Sequence, residues 1–128
     1  MSTAYVDASA LVKMVVDEHD AIALRRFLEG FDEHTTSRIG VVEARRALGR
    51  ASADGATADR ILAPIGPIDL DAAIASAAER LEPPSLRTVD AIHLATALAL
   101  YHVDVFVTYD VRLAAAARWH GLPVASPT

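Results

Sequence analysis

Short segments that suit β-strands, most of them apolar, alternate along this chain with segments of helical periodicity. The predicted strands cover residues 3–7, 35–37, 103–108 and 122–125. The predicted helices run from Ser9 to about Glu18, over 20–29, 71–81, 88–101 and 111–119, and from the second strand to a stop near Gly55. This alternation favours a mostly parallel central sheet with helices on both faces, so we predict an α/β fold that forms a single domain over residues 1–128.

Three local features carry further expectations. Ser9 is expected to cap the first helix, because serine side chains accept hydrogen bonds from the first helical N–H groups. The turn-rich stretch 64–67 is expected to precede a brief apolar segment that ends at Leu70, before the helix at 71–81. Trp119 is expected to pack in or near the core.

The composition excludes several classes of site. The 128 residues include no cysteine, which rules out disulfides, thiolate nucleophiles and sulfur-ligated zinc. The first residues show no basic and apolar leader pattern, and the longest nearly apolar stretch, 91–100, is too short to span a bilayer, so we expect a cytoplasmic protein without a membrane partner. The formal net charge of −5 is unusual for a protein that binds nucleic acid, unless the acids gather at a metal site.

Four acidic residues stand where a parallel sheet places its functional side chains. Asp7 closes the first predicted strand, and Asp110 follows the strand at 103–108. Glu43 lies early in the helix after the second strand, and Asp90 lies in the first turn of the helix at 88–101. Because ligands bind at the carboxyl ends of the strands in such sheets, we expect the four carboxylates to meet at one rim.

Each of these acids also has a simpler structural explanation. Asp7 and Asp110 can cap the helices that they precede. Asp90 suits the positive end of a helix dipole. Glu43 can pair on the surface with the arginines three and seven positions later. These alternatives stay open for each residue taken alone.

The four acids together favour a cation site. Carboxylates brought close together repel one another, and some of them would be protonated unless a cation lay among them. Mg²⁺ and Mn²⁺ prefer oxygen ligands and keep several waters. Such an ion can activate water and stabilise the leaving oxygen of a phosphodiester. The predicted chemistry is therefore metal-assisted hydrolysis, without a covalent protein nucleophile.

Four segments in the same order resemble the motifs of PIN domains, especially the VapC-type toxins. They are YVDASALVK at 5–13, Glu43 at the expected separation, LRTVDAIHLATA at 86–97 and VTYDVRL at 107–113. The similarity covers nearly the whole chain. It implies a PIN-like fold and a metal-dependent endoribonuclease that serves as the toxin of a toxin–antitoxin pair.

The resemblance also implies roles for individual residues. Asp7, Glu43, Asp90 and Asp110 would hold Mg²⁺ or Mn²⁺ and form the catalytic site, with Thr108 and Ser9 in support. The chain departs from the family pattern at Arg112, where many members carry a further acid, and this leaves a second metal position open. The implied partners are an RNA substrate (tRNA or rRNA), a VapB-like antitoxin and a second copy of the chain in a homodimer.

Other polar residues near these motifs have two interpretations each. His93 lies one turn beyond Asp90 and is expected to support the site rather than to bind the metal. Lys13 can reach the acids or an RNA phosphate, or can lie on a solvated helix face. Three arginines of the helix after the second strand can contact RNA or form a charged outer face, namely Arg45, Arg46 and Arg50.

Three other functions are compatible with parts of this pattern. A receiver-type signalling domain needs adjacent acids after the first strand, where Ala8 follows Asp7, and a lysine late in the chain, which is absent beyond Lys13. A phosphatase of the haloacid-dehalogenase kind needs a second aspartate at the position of Ser9. A catalytically inactive PIN-fold binding module would keep the fold and the partner, but all four acids are retained here.

Overall fold

The computed structural model describes residues 1–16 and 19–128, and the end of the first predicted helix, near Glu18, lies outside the described residues. The strands of the described part are β1 (Thr3–Val6), β2 (Glu33–Ser37), β3 (Gly66–Ile68), β4 (Val105–Val107) and β5 (Val124–Ala125). The helices of that part are α1 (Ala8–Val15), α2 (Ala21–Leu28), α3 (Arg38–Arg50), α4 (Gly55–Leu62), α5 (Ala72–Glu79), α6 (Thr88–Ala99) and α7 (Val111–Trp119).

The strands form one sheet in the order β3-β2-β1-β4-β5, and every pairing in it is parallel. In the central strand, Tyr5 lies beside Thr35 of β2 and Phe106 of β4. The chain builds β2 and β3 on one side of β1, and β4 and β5 on the other. The strand order therefore reverses between β1 and β4, which is where an open α/β sheet leaves a crevice for ligands.

Helices cover both faces of the sheet, as the sequence predicts. Alternate residues of β1 point to opposite faces because side chains alternate along a strand. Ala4 and Val6 join the core formed with α1, α2, α3 and α4, while Tyr5 joins the core formed with α6 and α7. The predicted α/β class with a parallel sheet and two helical layers is confirmed.

Several local expectations are wrong. Asp7, not Ser9, caps α1, because its side chain accepts the hydrogen bond from the Ala10 N–H. Gly55 begins α4 instead of ending the preceding helix, and the side chain of Asp54 caps this new helix through Thr57.

Two further differences concern the edge strand β3 and Trp119. The turn-rich stretch contributes Gly66 and Pro67 to β3, where proline is tolerated because the strand lies at the edge of the sheet. Trp119 is 72% exposed at the end of α7 and does not pack in the core. No helix in the described part of the chain is long and apolar enough to cross a membrane.

Candidate active site

Asp7 is the most deeply buried of the four predicted acids, with 3% of its surface exposed. Its Oδ1 accepts hydrogen bonds from Ser9 Oγ at 2.6 Å and from the Ala10 N–H at 3.0 Å. Its Oδ2 accepts a hydrogen bond from Thr108 Oγ1 at 2.5 Å. Burial raises the pKa of this carboxyl, and the hydroxyls of Ser9 and Thr108 partly offset the rise. The two predicted supporting residues thus contact Asp7 directly.

Thr108 joins Asp7 to Asp110 across the junction of β1 and β4. The Thr108 hydroxyl donates to Asp7 and accepts a hydrogen bond from the Asp110 N–H at 3.0 Å. The Asp110 side chain also caps α7, since its Oδ1 accepts from the Leu113 N–H at 2.9 Å. Asp110 therefore fulfils the simpler structural role and still presents its second oxygen to the site.

Arg87 connects Asp90 with Asp110. Its Nε donates to Asp90 Oδ2 and its Nη2 donates to Asp110 Oδ2, both at 3.0 Å. The Asp90 side chain is 12% exposed, whereas that of Arg87 is 70% exposed. The hydrogen bond to Asp90 and the negative charges of Asp90, Asp110 and Glu43 raise the pKa of Arg87. A guanidinium group thus lies between two of the predicted metal ligands and in the field of a third.

Glu43 is held by a hydrogen-bonded chain that begins in the core. The Tyr5 hydroxyl lies 2.7 Å from His93 Nδ1, and His93 Nε2 lies 2.9 Å from Glu43 Oε1. Burial raises the pKa of Tyr5 well above its usual value, so the phenol keeps its proton. Because a carboxylate oxygen accepts, the Nε2–H of His93 donates to Glu43. His93, 1% exposed, positions Glu43, in agreement with its predicted supporting role.

These contacts bring the four acids to the carboxyl edge of the sheet. Asp7 and Asp110 share Thr108, Asp90 and Asp110 share Arg87, and Glu43 is joined to α6 through His93. The expected surface ion pair of Glu43 with arginines of its own helix does not form among the described residues. Lys13 lies 3.5 Å from Asp20 Oδ2, with its ammonium group over the ring of Tyr109.

The donor set fits a hard divalent cation in chemistry but not in its present arrangement. All four predicted ligands offer carboxylate oxygens, and a positive group already bridges Asp90 and Asp110. Within the described residues, however, no three histidine or acidic side chains surround one point as metal ligands do. Instead, Arg87 uses Oδ2 of both Asp90 and Asp110, and hydrogen bonds engage both oxygens of Asp7 and Oε1 of Glu43. The metal ligand set remains a prediction.

Sequence reasoning missed three contributors to the site. Arg87 carried a usable signal, because it precedes Asp90 by three residues at the start of a helix. Gly40 leaves room for the imidazole, since a Cβ atom there would lie 2.5 Å from His93 Cε1. Tyr5 gave no signal, because a tyrosine in a buried strand is ordinarily a core residue.

Comparisons with known proteins identify the family and support the fold. A family model described as the PIN domain matches residues 4–118. Ribonuclease VapC46 of Mycobacterium tuberculosis is 37% identical over 131 residues, which covers 100% of both chains. The solved structure of VapC20 from the same species, a sarcin–ricin loop cleaving toxin, matches with a TM-score of 0.71 at 18% identity over 88% of this chain and 94% of that one. A toxin–antitoxin complex from Klebsiella pneumoniae matches with a TM-score of 0.74 at 22% identity over 98% of each chain. At these identities the solved structures establish the fold alone.

Proposed function

The chain belongs to the PIN domain family, and we propose that it is an endoribonuclease that acts as the toxin of a toxin–antitoxin pair. The observation that carries the proposal is the link from Asp7 through Thr108 to Asp110, and through Arg87 to Asp90, beside the point where the strand order reverses. A relative that matches the full length of the chain at 37% identity is named a ribonuclease. We propose that this protein likewise hydrolyses RNA phosphodiester bonds.

The proposed cofactor is Mg²⁺ or Mn²⁺, held by Asp7, Glu43, Asp90 and Asp110. When bound, such an ion makes a water molecule more nucleophilic and stabilises charge on the leaving oxygen. The chain's own residues prepare the ligands. Ser9 and Thr108 fix the orientation of Asp7, and the chain from Tyr5 through His93 fixes that of Glu43.

Arg87 would compete with a cation for the Oδ2 atoms of Asp90 and Asp110. Its guanidinium group uses the Oδ2 atoms of both Asp90 and Asp110, so these contacts would have to open for those two oxygens to bind a shared ion. The side chain is 70% exposed, which allows it to rotate toward solvent. Once released, a guanidinium group at this position can bind the RNA phosphate, because its fork of N–H donors matches phosphate oxygens.

The decisive experiment is cleavage of a mixed tRNA and rRNA pool in the presence of Mg²⁺ or Mn²⁺. We expect discrete products from the unmodified protein, none with EDTA, and none from Asp90→Asn. The control is Asp69→Asn, which alters an exposed acid that pairs with Arg38 and is not a candidate ligand, so it should leave cleavage intact. Cleavage by Asp90→Asn at the unmodified rate would sink the mechanism.

The proposed partners are the RNA substrate, a VapB-like antitoxin and a second copy of the chain. A structural neighbour that spans 98% of this chain is a toxin–antitoxin complex, which supports a protein antitoxin. Light scattering of the purified protein tests the homodimer, and a monomer at micromolar concentration would count against it. With RNA as its substrate, the protein would act in the cytoplasm.

A further inference from the structure

A groove of about 430 Å³ runs between α1 and α3 and opens beside the candidate active site. One end is lined by Ser9, which holds Asp7, and by Glu43. The other end is lined by Arg46 and Arg50. The remaining lining residues are small or apolar, namely Ala8, Val12 and Ala47. The groove thus leads from Glu43, and from the serine that contacts Asp7, to two arginines.

The spacing of three residues in α3 sets the direction of the groove. Glu43, Arg46 and Arg50 are separated by three and then four positions, so they lie on one face of the helix. At 1.5 Å of rise per residue, Arg46 lies about 4.5 Å and Arg50 about 10 Å along the helix axis from Glu43. The two arginines therefore follow one another at one-turn intervals, leading away from the acids.

Both arginines are available for an external partner. Arg46 and Arg50 are exposed, and neither forms an ion pair or a side-chain hydrogen bond with any residue that the structure describes. Glu43, the acid nearest to them in their own helix, is bound by His93 instead. Their neighbour Arg45 differs, because its Nη1 pairs with Asp59 Oδ1 at 2.5 Å. Helix α3 thus carries two unpaired arginines in the groove, whereas its arginines outside the groove, Arg38 and Arg45, are paired.

We propose that the α1–α3 groove binds the RNA backbone on one side of the scissile phosphate, with Arg46 and Arg50 each contacting one phosphate. This inference rests on the proposed ribonuclease function. An arginine fork binds phosphate oxygens in two parallel hydrogen bonds. The groove has no aromatic side chain on which a base could stack. The contact therefore concerns the backbone and is independent of sequence. It also gives a chain of net charge −5 a local site for a polyanion.

The test measures how salt weakens RNA binding. A fluorescein-labelled single-stranded RNA of mixed sequence is titrated with the protein in EDTA, where cleavage is not expected, at salt concentrations from 20 to 200 mM. For single strands, the slope of log K against log salt is about −0.7 for each neutralised phosphate. Arg46→Gln and Arg50→Gln should each reduce the slope by about 0.7, and the double variant by about 1.4. Affinity at 50 mM salt should fall on the order of tenfold for each arginine.

Arg45→Gln is the matched control, because it removes one positive charge from the same exposed helix without touching the groove. It should leave the slope unchanged. The inference is overturned if the protein binds and cleaves RNA and the double variant keeps the slope of the unmodified protein. It is also overturned if a poly-glutamate peptide, but not RNA, loses affinity in the double variant, since the groove would then bind an acidic peptide. If the unmodified protein neither binds nor cleaves RNA, the proposed function itself has failed.

Discussion

Substitution of Gly40 by alanine is expected to damage both stability and function through one close contact. A Cβ atom at this position would lie 2.5 Å from His93 Cε1 and 2.8 Å from Thr36 Oγ1. Carbon atoms in favourable contact are about 3.5 to 4.0 Å apart. His93 cannot move away freely, because Tyr5 and Glu43 hold its two ring nitrogens. Thr36 is fully buried in β2.

The expected magnitude follows from two opposing effects. Alanine is a better helix former than glycine by about 1 kcal/mol, which favours the variant. Overpacking of a rigid core costs about 1 to 3 kcal/mol, and displacement of His93 would also weaken its hydrogen bond to Glu43. The second effect is larger, so Gly40→Ala should lower the free energy of unfolding by about 1 to 2 kcal/mol.

Helix α3 provides its own control at Gly49. A Cβ atom there would meet no other atom within 4 Å, so only the helical preference operates. Gly49→Ala should therefore raise the free energy of unfolding by about 0.5 to 1 kcal/mol. The two alanine substitutions, nine positions apart in one helix, are expected to have opposite signs.

Urea unfolding followed by circular dichroism measures both variants under the same conditions. The midpoint of Gly40→Ala should fall and that of Gly49→Ala should rise, with little change in the slope of the transition. RNA cleavage should drop in Gly40→Ala at temperatures where the variant is fully folded, because Glu43 loses its orientation. A Gly40→Ala protein that is as stable and as active as Gly49→Ala would refute the argument that a Cβ atom at position 40 displaces His93.

Two further predictions concern charges at the candidate site. Arg87→Gln removes the guanidinium group from between Asp90 and Asp110, so Mn²⁺ affinity measured by calorimetric titration should rise roughly two- to fivefold. The control Arg38→Gln should leave the affinity unchanged, and weaker Mn²⁺ binding by Arg87→Gln would mean that Arg87 assembles the ligands instead. Burial raises the pKa of Asp7 above 3.8, so in EDTA the stability contributed by its protonated form is lost as pH rises through that raised pKa. Asp7→Asn should therefore be more stable than the unmodified protein at pH 7, with the difference shrinking toward pH 4, and an equal or lower melting temperature at pH 7 would contradict this.

The overall architecture could be predicted because it depends on local pattern. The fully buried strands β1 and β4 are largely apolar, helices show their periodicity, and parallel connections leave few possible arrangements. The wrong predictions concern residues that usually form turns but here belong to a strand or a helix. Gly66 and Pro67 form an edge strand whose pairing depends on β2, and Gly55 starts a helix because Asp54 caps it. In both places the deciding partner lies outside the local pattern on which the prediction rested.

The acids at the rim could be located from sequence, whereas their partners could not. Asp7 and Asp110 directly follow strands, and Asp90 lies in the first turn of a helix, so their positions follow from the element order. The hydrogen bonds that orient them join residues far apart in the chain. Thr108 and Asp7 are separated by 101 positions, and Tyr5 and His93 by 88. Side-chain pairs of this kind depend on the register of the folded sheet.

Glu43 pairs with His93 and not with Arg46, although the local charge pattern favours the arginine. The sequence offers Arg46 three positions later, yet exposed ion pairs contribute about 0 to 1 kcal/mol because water solvates both charges well. His93 is 1% exposed, and leaving its Nε2–H without an acceptor would cost about 1 to 3 kcal/mol. The larger penalty decides, so Glu43 turns to the core and Arg46 remains unpaired in the groove. The same hydrogen bond that orients a predicted metal ligand therefore also frees the arginine that we assign to RNA.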